Sequence, residues 1–336
     1  MDSLTHIALG ACIGDAFAGR KLGKRAMLLG AVAQSVPDID FISALWLNPS
    51  DGLLGHRGFT HSILFVLLVS PLLGMLAERW RRPHDISVRK WILFFAIQGF
   101  IHLLIDGMNV YGVGWFEPFS HHRVSYNWIY VADPFYSVWL GIAFLVLIFM
   151  KQNHPSRGWW RRFGVGISTA YLLYCGLNKI RVDHDSRAIF RDQHISYKNY
   201  FTTPTPLNNW LWYVVASADS GSYIGYRSVF DREKKIDFRF VPRQDSLLKP
   251  VAGHADLQKL LRFSKGFYAV QNQNDTLIFN DLRFGQMIGW RDIRAPFAFY
   301  YYLQYPGANR LVVQRGRFAG WDREALRSLI RRIRGK

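Results

Sequence analysis

The stretch "GHRGFTHSILFVLLVSPLLGMLA", residues 55–77, decides the fold class of the first half of the chain. From Ile63 onward it is an apolar run of the kind that a membrane-spanning helix requires. Two histidines, an arginine and a serine stand directly before that run. Ionisable side chains near a bilayer are costly unless they have partners, so this junction is a candidate functional site.

Similar apolar segments recur along the first half of the chain. Those that we predict to span a membrane cover residues 60–78, 91–110, 134–150 and 163–180. Several fall slightly short of the roughly 20 residues that a spanning helix needs. Two earlier helical segments, 3–19 and 24–36, are less apolar and could be full spans or a shorter hairpin. We therefore predict a mainly α-helical membrane bundle of about four to six helices.

The second half of the chain predicts a separate soluble α+β domain, residues 183–336, after a membrane domain of residues 1–182. No apolar run in the second half is long enough to span a bilayer. Strand-like stretches such as "WLWYVVAS" (210–217) alternate with turn-forming residues. The closing "DREALRSLIRRIRGK" (322–336) predicts a basic amphipathic helix, either solvated or in contact with anionic headgroups.

Charge and cysteine content narrow the function classes. The formal net charge is +18, which favours an anionic partner. Because no nucleic-acid-binding module is recognisable and apolar segments abound, we expect membrane lipids, including anionic ones, and no nucleic acid. The two cysteines, Cys12 and Cys175, lie in apolar stretches and cannot form a cysteine-based zinc site or disulfide framework.

The basic loops predict an orientation. They occupy alternate loops, at residues 20–25, 78–90 and 151–162. Short basic loops stay on the cytoplasmic side of a membrane. The remaining loops and everything after about residue 181 are then predicted to face outward. The N-terminus lacks the features of a cleaved signal, so we expect it to be retained on that outer side.

Ionisable residues gather at the helix ends of the membrane half. Because successive helices reverse direction, the start of one and the end of the next lie on the same side of the bilayer. Imidazole and carboxylate together suit Zn²⁺, Mn²⁺ or Fe. The candidate metal ligands are Asp2, His6, Asp38, Asp40, His61, His102, Asp106, His121 and His122.

The spacing of these residues supports a shared site. Asp2 and His6, like His102 and Asp106, are four residues apart and so share one helix face. In "PDIDF", residues 37–41, a proline ends the helix and two carboxylates follow.

The candidate catalytic residues are Asp38, Asp40, His56 and Arg57. Asp38 or Asp40 would bridge ions or orient a water, and His56 would be a ligand or support one. The planar guanidinium of Arg57 suits a phosphate group, although an arginine in a loop can also extend to lipid headgroups.

The motifs "MDSLTHIALG", "PDIDF", "GHRGFTHS" and "HLLIDG" together resemble the YdjM-like family of inner-membrane proteins. The resemblance covers roughly residues 1–180 and implies a bacterial inner-membrane, multi-pass protein with metal-dependent hydrolase activity. By the orientation above, its site and C-terminal domain would lie on the periplasmic side.

The order of the ligands is also similar to that of the zinc-dependent phospholipase C and single-strand nuclease superfamily. That similarity implies a zinc cluster held by His6, Asp40, His61, His102 and Asp106, with His121 or His122 as a further ligand. The later histidine–acid pair of that superfamily is absent here, and Asp2 is a candidate for the place of its N-terminal amine. We therefore favour a two-metal site within a range of about one to three Zn²⁺ ions, with Mn²⁺ as an alternative.

The leading hypothesis is hydrolysis of a phosphoester or lipid-linked ester by metal-activated water at the outer membrane surface. Two alternatives stay open. A metal or proton transporter would use the same residue types, but spread through the bilayer depth rather than gathered at one end. A non-catalytic membrane scaffold would hold a closed structural metal and bind a protein through its C-terminal domain.

Overall fold

The computed structural model describes residues 1–81, 86–273, 276–305, 309 and 321–335. Residues 82–85 of the predicted basic loop and Lys336 of the closing stretch lie outside this part of the chain. The α-helices are α1 Ser3–Leu22, α2 Arg25–Ser35, α3 Pro49–Gly55, α4 Ile63–Arg81, α5 Val88–Asp106, α6 Pro134–Phe149, α7 Arg157–Asp192, α8 Ala255–Ser264 and α9 Arg323–Ile333. Short 3₁₀ helices cover Pro37–Leu45, Phe59–His61, Asp245–Val251 and Leu282–Phe284.

The chain divides into two compact units. The first comprises Met1–Leu45 and Gly55–Cys175, and the second comprises Trp46–Leu54 and Gly176–Lys336. Helix α7 contributes residues to both units, and the predicted domain boundary at residue 182 falls inside it. We predicted that the apolar segment 163–180 ends at residue 180, because the apolar residues stop there. The helix itself continues to Asp192 as a more polar helix.

Within the described residues, two helices are long and apolar enough to cross a membrane: Ile63–Trp80 within α4 and Val88–Asp106, which is α5. Helix α6 is apolar but shorter. Helix α2 has 11 residues, a rise of about 17 Å, which is less than the hydrocarbon thickness of a bilayer. Helices α4 and α5 are therefore the candidate spans, and a bundle of four to six spanning helices stays a prediction.

Helices α1 and α2 form a tightly packed hairpin. Gly23, between them, has a φ of 62° and donates its backbone N–H to the carbonyl of Gly19. A Cβ on Gly30 would overlap the carbonyl oxygen of Gly10, and a Cβ on Gly14 would overlap that of Ala26. Glycines at these contacts let the two backbones approach closely. This packing brings the end of α2 beside the functional site.

The helices that carry the site begin and end at locally determined positions. Ser62 precedes α4, and its hydroxyl accepts a hydrogen bond from the backbone N–H of Phe65. Helix α5 ends with His102 and Asp106 one turn apart. Pro37 opens the 3₁₀ helix Pro37–Leu45, since it cannot donate the backbone hydrogen bond that would continue α2.

The second unit contains two antiparallel sheets, which confirms a sheet-containing C-terminal domain. The strands are β1 Asn199–Pro204, β2 Leu211–Ser217, β3 Gly221–Ser228, β4 Arg239–Pro242, β5 Tyr268–Gln273, β6 Thr276–Asp281 and β7 Tyr300–Tyr302. They form the sheets β1-β2-β3-β4 and β5-β6-β7. In β2 every residue from Leu211 to Ala216 is buried, and Val214 and Ala216 pack with Ile189 and Phe190 of α7.

Candidate metal centre

Four side chains from three elements converge in the first unit. Asp38, His61, His102 and Asp106 each offer one ligand atom, and these atoms all lie within 4.8 Å of one another. His61 Nε2 lies 3.1 Å from His102 Nε2 and 3.4 Å from Asp38 Oδ1. Asp106 Oδ2 lies 3.6 Å from each of the two Nε2 atoms. His102 Nε2 also lies 3.6 Å from Asp38 Oδ1.

These separations fit a single divalent ion. The centre of a tetrahedron with edges of this length lies about 2.1 Å from each corner, as a Zn–N or Zn–O bond requires. The donors are two imidazoles and two carboxylates, a set that zinc accepts. Asp106 Oδ2 is buried and makes no hydrogen bond among the described residues, although Arg57 Nε forms an ion pair with it at 3.1 Å; a metal ion would give this oxygen a further partner.

The orientation of His102 is fixed from behind. Its Nδ1 lies 2.7 Å from the backbone carbonyl oxygen of Gln34. That carbonyl belongs to the last turn of α2, where the final four carbonyls lack partners within the helix. Nδ1 therefore carries the proton and donates it to Gln34, which leaves the Nε2 lone pair facing the other ligands.

His61 is oriented in the same way by Asp40. His61 Nδ1 lies 3.3 Å from Asp40 Oδ2. The same oxygen accepts hydrogen bonds from the Arg57 backbone N–H at 2.9 Å and from the Thr60 hydroxyl at 3.0 Å. Asp40 Oδ1 lies 3.0 Å from His56 Nδ1. Asp40 thus lies on the far side of His61 from the four ligand atoms and holds its imidazole in place.

The charges of this pair follow from their contacts. Burial alone would raise the pKa of the Asp40 carboxyl, but hydrogen bonds from His56 and His61 hold that pKa below its usual range. Burial would likewise lower the pKa of His61. Its contacts with Asp106, Asp38 and Asp40 outweigh burial and raise that pKa to about 9. Without metal, His61 is therefore protonated at neutral pH, and an ion must displace that proton.

Asp106 connects the other three residues of the cluster with the N-terminus. Its Oδ1 contacts the amino group of Met1 and lies 3.2 Å from His6 Nε2. Its Oδ2, on the cluster side, lies 3.1 Å from Arg57 Nε. The His6 ring stacks on His102 with centroids 4.0 Å apart. His6 is therefore adjacent to the cluster without belonging to the four-residue group.

Arg57 is directed into the protein. Its side chain is 4% exposed, and its backbone has a φ of 61°. Nη1 donates to Asn109 Oδ1 at 2.8 Å, and the guanidinium lies over the ring of Tyr111. In this arrangement the guanidinium balances the charge of Asp106. Its predicted contact with a substrate phosphate stays a prediction.

Several predicted site residues lie outside the four-residue group. Asp2 accepts a hydrogen bond from the backbone N–H of Thr5 and caps α1. His121 and His122 are exposed, and His121 Nδ1 lies 2.9 Å from Glu117. His56 is 29% exposed; its Nδ1 faces Asp40, and its ring makes an edge contact with that of His61, with the centroids 5.8 Å apart. Some of the predicted site residues thus contact the cluster, whereas others lie at the same end of the helices without contacting it.

Sequence patterns missed three groups around the site. They are the backbone carbonyl of Gln34, the side chain of Asn109 and the amino group of Met1. A backbone carbonyl and a terminal amine carry no residue-type signal. Asn109 stands three residues after Asp106, and that spacing is the signal that could have identified it.

Comparisons with known proteins agree with the motif resemblance. The family model described as "YdjM inner membrane protein" matches residues 1–182, which is more than half of the chain. The "Inner membrane protein YbcI" of Escherichia coli K12 is 32% identical over 127 residues, covering 37% of this chain and 72% of YbcI. The "Uncharacterized protein YfhP" of Bacillus subtilis 168 is 23% identical over 236 residues, covering 67% of this chain and 68% of YfhP. No solved structure matches the chain.

Proposed function

Because the chain belongs to the YdjM inner membrane protein family, we propose that it is an integral membrane hydrolase that depends on a divalent metal. Its substrate would be a phosphoester or another lipid-linked ester. The observation that supports this proposal is the group Asp38, His61, His102 and Asp106, whose spacing suits a tetrahedral ion. Zinc is the first choice because two imidazoles contribute, and Mn²⁺ is the alternative.

A bound divalent ion would supply an acidified water and a polarised ester oxygen. The residues of the chain would prepare the surroundings of that reaction. Asp38 is 15% exposed, whereas His61, His102 and Asp106 are buried, so substrate would approach from the side of Asp38. Asp40 would keep His61 in the required tautomer, and Arg57 would balance part of the carboxylate charge.

We also propose that the protein crosses the membrane several times, with its site and C-terminal domain on the periplasmic side. The alternating basic loops support this orientation. Anionic lipids would be partners of the basic helix α9, in which Arg327, Arg331, Leu326 and Ile330 are all exposed. Such a mixture of basic and apolar side chains suits a headgroup layer.

One observation favours a second candidate, a structural metal in a membrane scaffold. All four corners of the site are occupied by protein atoms, as in closed structural zinc sites. The partial exposure of Asp38 distinguishes the two functions, because a catalytic site needs one position that a water or substrate can reach. Substitution of Asp38 should therefore abolish hydrolysis in a catalytic site but mainly lower stability in a structural one.

The first test is the metal content of detergent-purified protein, measured for wild type beside His61→Ala and His102→Ala. The expected result is a stoichiometric ion that both variants lose. Metal-replete protein is then assayed with phosphodiester and phospholipid substrates, beside Asp38→Asn. Absence of metal after repletion would refute the metal site. A bound metal with no hydrolysis of any substrate, and an unfolding temperature that falls in Asp38→Asn, would favour the scaffold.

A further inference from the structure

An apolar groove runs along the two candidate membrane spans of the first unit. It lies between the end of α2, helix α4 and helix α5. Its walls include Ala33, Val36, Phe65, Val69, Leu73 and Phe95. Ser70 is the one hydroxyl-bearing residue among the residues that line it. The groove is open on one side, where a membrane would present hydrocarbon rather than water.

Two residues that line the groove are neighbours of residues in the candidate metal centre. Pro37 lines the groove, and Asp38 is the next residue in the chain. Gly99 also lines it, one helical turn before His102 on α5. Asp38 is thus the chain neighbour of one groove residue, and His102 lies one turn along α5 from another.

The exposure of the four side chains indicates from which side a molecule can reach the cluster. Asp38 is the only one of the four whose side chain is more than 1% exposed. A molecule that reaches the cluster past Asp38 would therefore pass close to Pro37, which lines the groove. Any part of that molecule that continues toward the membrane would meet apolar walls, which favour hydrocarbon and offer nothing to a polar group.

From this arrangement we infer that the substrate is a membrane lipid whose hydrocarbon chain lies in the groove while its ester group reaches the metal centre. The inference rests on the proposed hydrolase function and narrows its substrate from phosphoesters in general to lipids. A bilayer that surrounds α4 and α5 would supply such a lipid directly. A soluble phosphoester would leave the groove without a role.

A large side chain introduced in the wall of the groove should block it. Val69 lines the groove on α4, so Val69→Trp would fill it. Leu68, the preceding residue, is 60% exposed on the same helix and does not line the groove. Leu68→Trp is therefore the matched control, with the same added side chain at the same depth. Leu73→Trp is a second blocking variant in case Val69→Trp does not fold.

The primary readout does not depend on catalysis. Detergent-purified full-length protein is mixed with phosphatidylglycerol that carries a photoactivatable diazirine on one acyl chain, and labelled peptides are mapped by mass spectrometry. We expect labelling of groove residues such as Phe95 to fall about tenfold in Val69→Trp and to be unchanged in Leu68→Trp. A fall of that size corresponds to displacing about two methylene groups from an apolar site.

The second readout separates this inference from the proposed function. Hydrolysis is compared between long-chain phosphatidylglycerol and its short-chain, water-soluble analogue. We expect Val69→Trp to lose activity on the long-chain lipid alone. Equal labelling in both tryptophan variants, or equal loss on both substrates, would overturn the groove while leaving the hydrolase intact. Groove labelling without hydrolysis of any substrate would instead overturn the proposed function and, with it, the substrate assignment.

Discussion

Replacement of Asp40 distinguishes a residue that orients a metal ligand from a ligand itself. The carboxylate receives the Arg57 backbone N–H and the Thr60 hydroxyl on Oδ2, and faces His56 through Oδ1. Its contact with His61 Nδ1, at 3.3 Å, is the one that bears on the metal. In Asp40→Asn the amide oxygen can take the place of Oδ2, so the local geometry survives while the negative charge is lost.

The expected effect of Asp40→Asn is a weaker but still stoichiometric metal site. Loss of a group that orients a metal-binding histidine typically costs about 10- to 100-fold in metal affinity, or about 1.4–2.7 kcal/mol. Asp40→Ala should lower folding stability as well as metal affinity, because the Arg57 N–H and the Thr60 hydroxyl also lose their acceptor. Each buried group left unpaired costs about 1–3 kcal/mol of folding stability.

The assay is a titration of metal-free, detergent-purified protein against a fluorescent competing chelator. His61→Ala is the control for loss of a ligand. Thr60→Val measures the share of the Thr60 hydroxyl, which donates to Asp40 and also lies 3.1 Å from His61 Nδ1. If Asp40→Asn binds no metal at all, Asp40 is itself a ligand, as its position in "PDIDF" first suggested. If its affinity equals that of wild type, the contact between Asp40 and His61 does not orient the imidazole.

Three further predictions follow from other parts of the first unit. Because the pKa of His61 is raised to about 9 and a metal ion binds only the neutral imidazole, the metal affinity should fall about tenfold for each pH unit below pH 9. A metal affinity that does not change between pH 6 and pH 9 would contradict this prediction. Gly30→Ala should lower the unfolding temperature, since its Cβ would overlap the Gly10 carbonyl, whereas Gly141→Ala on α6 meets open space and should not. Asp15 is buried and paired with Arg157 and Arg161, so Asp15→Asn should destabilise the protein by about 3–5 kcal/mol in denaturant titrations; unchanged stability would mean that water enters this cluster.

The elements of the fold were largely predictable because they depend on local patterns. Apolar runs located α4, α5 and α6 to within a few residues, and the strand-like stretch at residues 210–217 located β2. The sequence analysis did not single out strands β1 and β7 or helix α8. The full length of α7 was missed because its second half is polar and buries only selected residues, among them Val182 and Phe190.

The candidate site shows where sequence reasoning stops. Alternation of helix direction placed nine candidate ligands at one end of the helices, and the spacing of His102 and Asp106 paired two of them. Four of the nine meet as a group, and the others cap a helix, support a ligand or lie exposed. The direction of each helix determines on which side of the membrane its ends lie, but it does not determine which side chains contact one another.

By itself, therefore, the sequence determined the membrane character, the sheet-containing second half and the residue types of a metal centre, because these depend on composition and short-range spacing. Only the tertiary structure decided that Asp38 joins His61 while Asp40 supports it from behind, although the two carboxylates stand two residues apart. The physical reason is the 3₁₀ helix Pro37–Leu45, whose tight backbone turns successive side chains toward different neighbours. The Gln34 carbonyl that orients His102 is likewise available only because α2 ends where it does and packs beside α5.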